Sequence, residues 1–246
     1  MNSIAYYVLS AFAVIITLTV HEYCHGYAAY KLGDPTARNM GRLTLNPLRH
    51  IDPFGALCML FFHFGWAKPV PVSLRHLKNP RRDFAIISFA GPLSNFIMSF
   101  LSAFVYLSLY AIFRNVEFTN EMTLSIVENT ILFFKLFHLI NLGIAIFNLI
   151  PVPPLDGSRI LGLILPPRIY YNIMRHERVI YYVMLGWLFL GDGVSHFLLS
   201  LPIVAANPIL SAIASFLSLS NMLGGAIGAI SDAIIWVLKL IPFLNF

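Results

Sequence analysis

The stretch IAYYVLSAFAVIITLTVHEYCHGYAAY, residues 4–30, decides how the rest of the chain is interpreted. It is apolar for longer than the roughly 20 residues that a helix needs to cross a bilayer. Near its end stands His21-Glu22-Tyr23-Cys24-His25. In a helix, residues four apart lie on one face one turn apart, so both imidazoles can reach one metal ion. Ionisable groups inside a hydrophobic span are costly and indicate function. We therefore favour a metal site over two packed histidines beside a stray acid.

The composition agrees with a membrane location. Of 246 residues, 58% are hydrophobic and only 11% are charged, and the mean hydropathy is +0.77. Soluble domains carry about 25% charged residues. These values exclude a soluble enzyme with a single anchor and predict a polytopic membrane protein.

The net charge of +5 comes mostly from two stretches, residues 31–82 and 159–178. Basic loops beside transmembrane segments mark the cytoplasmic side of a membrane. We therefore expect a multi-pass membrane protein, with its N-terminus outside and the His21–His25 end of the first span toward the cytoplasm. This orientation explains the positive charge, and we expect the lipid bilayer rather than nucleic acid as its partner.

The hydropathy pattern predicts an all-α polytopic membrane protein. The first three spans fall at residues 4–30, 84–113 and 130–150, and they form a membrane core over residues 1–165. Residues 166–246 add further C-terminal transmembrane helices, for a total of five or six.

A shorter apolar run lies within residues 53–72, between two basic segments. It is too short to cross as a helix. We expect a re-entrant loop, an interfacial hairpin or a lid beside the metal site. The prolines at its end favour extended backbone over residues 66–72. That segment offers either an edge for pairing with an unwound peptide or a packed connecting loop.

The third span ends at Asn148-Leu149-Ile150-Pro151-Val152-Pro153-Pro154-Leu155-Asp156-Gly157. The prolines stop the helix and leave irregular backbone at membrane depth, which is tolerated where it lines a protein cavity. Asp156 is then an acid near the same membrane edge as His25. Two histidines and a carboxylate leave one zinc position open for water, as in catalytic sites. We predict His21, His25 and Asp156 as Zn²⁺ ligands and Glu22 as the general base. The alternative is that Asp156 only caps the turn before Gly157.

Two further groups of polar residues lie inside predicted spans. The second span contains Gly91-Pro92, interpreted as a kink or a close helix approach, and Asn95, which could orient a ligand or bind substrate backbone. In the third span, His138, Asn141 and Asn148 share one face. Such a stripe faces the bundle interior or a water-filled cavity.

These motifs together resemble the site-2 protease family of intramembrane zinc metalloproteases. The resemblance rests on H-E-x-x-H at 21–25, on Gly91-Pro92-Leu93-Ser94-Asn95 and on N-x-x-P-x-x-x-L-D-G at 148–157, and it covers roughly residues 1–165. It implies a three-helix catalytic core with His21, His25 and Asp156 on zinc and Glu22 as base. Asn148 matches a family position that contacts the substrate or the developing oxyanion, so Asn148 and Asn95 are candidates for these roles. No insertion large enough for a PDZ domain and no soluble tail is visible, so the resemblance implies a minimal, bacterial-type member located in a bacterial inner membrane.

The expected activity is hydrolysis of peptide bonds in or near transmembrane segments, close to the cytoplasmic face. The resemblance implies single-span membrane proteins or leftover signal segments as substrates. The rival interpretation is a metal-binding transporter or a catalytically inactive scaffold. A transporter favours repeated halves, which the sequence does not display, and a scaffold has no need of Glu22.

Overall fold

The computed structural model describes residues 3–52, 55, 67–216 and 218–244. Most of them are helical. The helices, numbered in chain order, are α1 (Ser3–Lys31), α2 (Thr36–Asn39), α3 (Pro80–Phe113), α4 (Glu121–Leu149), α5 (Asp156–Ile164), α6 (Pro167–Arg175), α7 (Glu177–Ser200), α8 (Pro202–Ala205), α9 (Pro208–Phe216) and α10 (Leu219–Leu238). Single 3₁₀ turns lie at Pro47–Arg49, Leu74–His76 and Pro242–Leu244.

The three long helices α1, α3 and α4 pack pairwise against one another and form the core of the molecule. The chain leaves α1 through Gly33, whose φ of 105° few residues other than glycine adopt. The third long helix begins at Glu121, earlier than the predicted span at 130, because Asn120 caps it by accepting from Met122 N at 2.8 Å.

The distribution of polar and apolar side chains matches a lipid environment. Large apolar residues of the long helices are exposed, including Phe12, Ile97 and Leu101. Polar residues of the same helices are buried instead: Thr17, His21, Asn95, Ser99, Ser102, His138 and Asn141. Because exposed apolar patches this extensive need an apolar partner, and intramembrane polar groups face the bundle interior, the long helices are those of a multi-pass membrane protein. The prediction of an all-α polytopic membrane protein is confirmed.

Among the described residues, four helices are long and apolar enough to span a membrane, namely α1, α3, α4 and the segment Ser220–Leu238. A fifth candidate is the pair Glu177–Leu188 and Leu190–Ser200, bent by 49°. The remaining C-terminal sequence is divided into short helices, because Pro202 and Pro208 each begin a new one. Asn207 also caps the second of these by accepting from Ile209 N at 2.9 Å.

The last long helix, α10, joins the core through an apolar cluster. Its Ile234 and Leu238 pack with Ala103 and Leu107 of α3 and with Leu142 of α4. Beside this cluster, His138 of α4 bridges two other helices: Ser99 Oγ lies 2.8 Å from its Nδ1, and Ser231 Oγ lies 2.9 Å from its Nε2. The C-terminal helix is therefore held to the core by both apolar and polar contacts.

Between α1 and α3, residues 67–73 form neither helix nor strand, apart from one antiparallel bridge between Ala67 and Ile51, and we call them the strap. Arg42 Nη2 donates to Lys68 O at 2.7 Å, and Lys68 N donates to His50 O at 2.8 Å. The other end is held by buried Asp34, which accepts from Ser73 N at 2.6 Å. Residues 53–54 and 56–66 of the predicted re-entrant segment lie outside the described residues.

Asp34 is the anchor of this region. Besides Ser73 N, its carboxylate accepts from Thr36 N at 3.0 Å and lies 3.0 Å from His76 Nδ1. Burial alone would raise the pKa of Asp34, but the hydrogen bonds that it accepts from Thr36, Ser73 and His76 outweigh burial and hold the pKa below its ordinary value. Asp34 therefore stays ionised and fastens the strap to the end of α1.

Candidate metal centre

Three potential ligands converge on one point, two from α1 and one from the start of α5. The Nε2 atoms of His21 and His25 lie 3.0 Å apart, and each lies 3.2 Å from Asp156 Oδ2. Both imidazoles are buried, and the carboxylate is largely so. The structure thus brings together the three residues that the sequence predicted as ligands, across more than 130 residues of chain.

The donor set and its spacing fit zinc. Tetrahedral zinc binds histidine nitrogen and carboxylate oxygen at about 2.0–2.2 Å, which places neighbouring ligand atoms about 3.3 Å apart. The three observed separations, 3.0, 3.2 and 3.2 Å, match this value. Two imidazoles and one carboxylate also leave a fourth position for water or substrate.

The protonation of His25 is set by the backbone of α3. Its Nδ1 lies 2.7 Å from Ile87 O. A carbonyl oxygen only accepts, so Nδ1 carries a proton, and Nε2, which faces His21 and Asp156, is the nitrogen that would bind a metal ion. The Ile87 carbonyl therefore orients the His25 ring. Because it is a backbone group, no side-chain pattern in the sequence predicts this contact.

Gly91 of α3 provides the space in which the two imidazoles meet. A Cβ at this position would lie 2.5 Å from His25 Nε2 and 2.7 Å from His21 Cε1. Real Cβ atoms essentially never approach so closely. The sequence interpretation of Gly91-Pro92 as a close helix approach therefore has a specific meaning, because the backbone of α3 packs directly on the candidate ligands.

Gly157 has the corresponding role at Asp156. A Cβ on Gly157 would collide with the carbonyl oxygens of Leu149 and Ile150 at the end of α4. The first turn of α5 can therefore lie against the end of α4 only with glycine at this position. The far end of α5 is held by Arg81 of α3, which donates to the carbonyls of Gly162 and Leu165. Together these contacts fix Asp156 beside α1.

Glu22 joins the candidate ligands to the strap. Its Oε2 accepts from Val70 N at 2.8 Å. The residue follows His21 directly and is only partly buried, so a carboxylate stands beside the metal site on the side where the strap crosses. Residues 67–72 of the predicted pairing edge form neither helix nor sheet, apart from the bridge at Ala67.

The two asparagine candidates take different positions. Asn95 Nδ2 lies 3.1 Å from His21 Nδ1, behind the imidazole and away from its ligand atom. Asn148 is partly buried, and its Nδ2 donates to Ile144 O at 3.0 Å in the preceding turn of α4. Sequence reasoning missed the contributions of Ile87, Asp34 and Arg42. For Asp34 a signal existed, since it is an acid directly after a helix end.

Comparison with known proteins agrees with this geometry. The model of a protein family, Peptidase family M50, matches residues 9–191. "Putative zinc metalloprotease YwhC" of Bacillus subtilis (strain 168) is 40% identical over 182 residues, which are 72% of this chain and 80% of that protein. "Putative zinc metalloprotease Rip2" of Mycolicibacterium smegmatis is 24% identical over 162 residues, 64% of this chain and 57% of that protein.

The Rip2 protein of Mycobacterium tuberculosis (strain ATCC 25618 / H37Rv) is 28% identical over 149 residues, 58% of this chain and 52% of that protein. The chain thus spans a little over half the length of these two Rip2 relatives. No solved structure matches the chain.

Two histidines, a carboxylate and an adjacent glutamate on the helices of a membrane protein are the site residues of a metalloprotease. The chain belongs to peptidase family M50, the site-2 protease family. The predicted family resemblance is confirmed.

Proposed function

We propose that this protein is an intramembrane zinc metalloprotease that hydrolyses peptide bonds in or near transmembrane segments of single-span membrane proteins or leftover signal segments. The observation that carries the proposal is the convergence of His21, His25 and Asp156 within one metal-sized cluster, with the Glu22 carboxylate beside it. Basic residues that follow α1 and lie around α6 support a location near the cytoplasmic face, with the N-terminus outside.

His21, His25 and Asp156 would hold the zinc ion, which when bound supplies a Lewis acid that makes water nucleophilic near neutral pH. Glu22 accepts the proton of the attacking water and then donates it to the leaving amine. The hydrogen bond from Val70 N keeps this carboxylate directed to the strap side of the site. The substrate carbonyl would therefore enter between the strap and α1.

The strap offers a way to hold the substrate. Peptide groups of a transmembrane helix are hidden in internal hydrogen bonds, so the substrate must unwind before attack. The prolines favour extended backbone here, and in an extended chain alternate residues present their peptide groups to the same edge. Val72 would then face the side from which Val70 N donates to Glu22. An unwound substrate strand pairing along this edge would lie next to the base.

The test compares wild type with Glu22→Gln and Glu121→Gln in the full chain, on a panel of single-span substrates. Glu121 is an exposed glutamate at the start of α4 and serves as the matched control. We expect wild type and Glu121→Gln to cleave, and Glu22→Gln to retain zinc without cleaving. Cleavage by Glu22→Gln at the wild-type rate would refute the proposed base. A wild type that holds zinc and cleaves nothing would favour the scaffold or transporter.

A further inference from the structure

The remaining question at the site is how His21 is oriented, and Asn95 is the residue in position to do it. Asn95 lies on α3 one turn after Gly91, its side chain is fully buried, and its amide meets His21 Nδ1 at 3.1 Å. His21 Nε2 faces His25 and Asp156. If Nε2 is the ligand atom, as the proposed function requires, Nδ1 must carry the proton and needs an acceptor.

With the Asn95 amide oriented as it is in the structure, the proton on His21 Nδ1 has no acceptor there. Nδ2 faces Nδ1, which sets two donors against each other, while Asn95 Oδ1 has no hydrogen-bond partner among the described residues. Oxygen and nitrogen of an asparagine amide are assigned from their surroundings and can be exchanged by a half-turn. The half-turn brings Oδ1 onto the Nδ1–H of His21 and satisfies both groups.

Two other side-chain oxygens of the long helices share this lack of a partner among the described residues. Thr17 Oγ1 and Asn141 Oδ1 are buried and lack hydrogen-bond partners in the described part of the chain. Thr17 stands one turn before His21 on α1. Asn141 lies one turn from His138 on α4. The Nδ1 of His138 lies 2.8 Å from Ser99 Oγ, and Ser99 lies one turn from Asn95 on α3. Both oxygens belong to helix turns next to residues of this buried polar group, and an ordered water between them and the Asn95 NH₂ group would satisfy all three.

We propose that Asn95 is a positioning residue that accepts a hydrogen bond from His21 Nδ1–H and fixes the tautomer and ring orientation of this ligand. It acts through His21 and does not contact the substrate or the oxyanion. Second-layer partners of this kind change metal affinity about 10- to 100-fold when removed. The proposal rests on the proposed function only in taking His21 Nε2 as a zinc ligand.

The test measures zinc affinity of the full chain by chelator competition, together with the visible spectrum of the cobalt-substituted protein. Asn95→Leu removes the acceptor, and Asn95→Asp offers oxygen acceptors only. Ser102→Ala is the matched control, since Ser102 is a buried polar residue of α3 that donates to Phe134 O at 2.7 Å. We expect a 10- to 100-fold loss of affinity with an altered cobalt spectrum in Asn95→Leu, near-wild-type affinity in Asn95→Asp, and no change in Ser102→Ala.

Three outcomes would overturn the proposal while leaving the proposed function in place: wild-type affinity in Asn95→Leu, equal losses in the Leu and Asp variants, or an equal loss in Ser102→Ala. Equal losses in Leu and Asp would mean that the amide donates to His21. Wild type that binds no zinc would remove the proposed function and this inference together.

Discussion

Replacing Gly91 with alanine tests how tightly α3 is fitted to the candidate ligands. The added Cβ would stand 2.5 Å from His25 Nε2, where ordinary contact begins at 3.4 Å. The imidazole must therefore retreat by roughly 1 Å, because dispersion contacts turn steeply repulsive at shorter range. The atom that retreats is the proposed ligand atom, and His21 Cε1 at 2.7 Å is displaced with it.

The expected loss is large and specific to the metal site. A displacement of about 1 Å cannot be absorbed in bonds of about 2.0–2.1 Å, and misplacement on this scale costs about 100-fold in activity. Helix propensity favours alanine over glycine in a helix interior by about 1 kcal/mol, which offsets part of the overpacking cost of about 1–3 kcal/mol. A large loss of zinc affinity with at most a small loss of folding stability is therefore the predicted signature of Gly91→Ala.

The assay is zinc affinity by chelator competition and cleavage rate, with the thermal midpoint of the metal-free protein measured in parallel. Gly186→Ala is the control, since a Cβ on Gly186 meets nothing within 4 Å. Gly186→Ala should match wild type in all three measurements. Zinc affinity of Gly91→Ala within twofold of wild type would refute the packing of α3 on the two imidazoles.

Three further predictions concern the supports of the site. Gly157→Ala should push the first turn of α5 from the end of α4 and lower zinc affinity about 10-fold or more; unchanged affinity in a chelator titration would contradict the proposed placement of Asp156. Asp34 has a lowered pKa, so its stabilisation of the strap should be complete above about pH 4 and be lost as the pH falls through the lower folded-state pKa. The hydrogen-exchange protection of Ser73 N, relative to the intrinsic rate at each pH, should fall over that range and already be low in Asp34→Asn at pH 7, and protection that stays high would contradict the anchor. Ser231→Ala should loosen α10 from the core by about 0.6–1.7 kcal/mol, read from denaturation of the purified protein, and wild-type stability would show that the hydroxyl next to His138 is dispensable.

Much of the site was predictable because its chemistry is local in sequence. The spacing of His21 and His25 puts both on one helix face, and the prolines before Asp156 announce irregular backbone at membrane depth. The basic loops place the His21–His25 segment and Asp156 at the same predicted membrane edge. Their approach to each other was therefore expected.

The contacts that hold the candidate ligands and the strap were not predictable, because backbone groups or residues distant in sequence make them. The carbonyl of Ile87 and the space at Gly91 depend on how closely α3 approaches α1. The strap is held by Arg42 and by Asp34, partners remote in sequence. The C-terminal region contains more and shorter helices than hydropathy indicated. Prolines and capping residues end helices there that composition alone would continue.

The most direct measurement of the central claim is X-ray absorption at the zinc edge of the purified full chain, compared with Asp156→Ala. We expect zinc in wild type surrounded by nitrogen and oxygen neighbours at about 2.0–2.2 Å, two of them imidazole nitrogens. In Asp156→Ala the zinc should be weakly held or lost. A wild-type spectrum with sulfur neighbours, or one that the Asp156 substitution leaves unchanged, would contradict convergence of α1 and α5 on one ion.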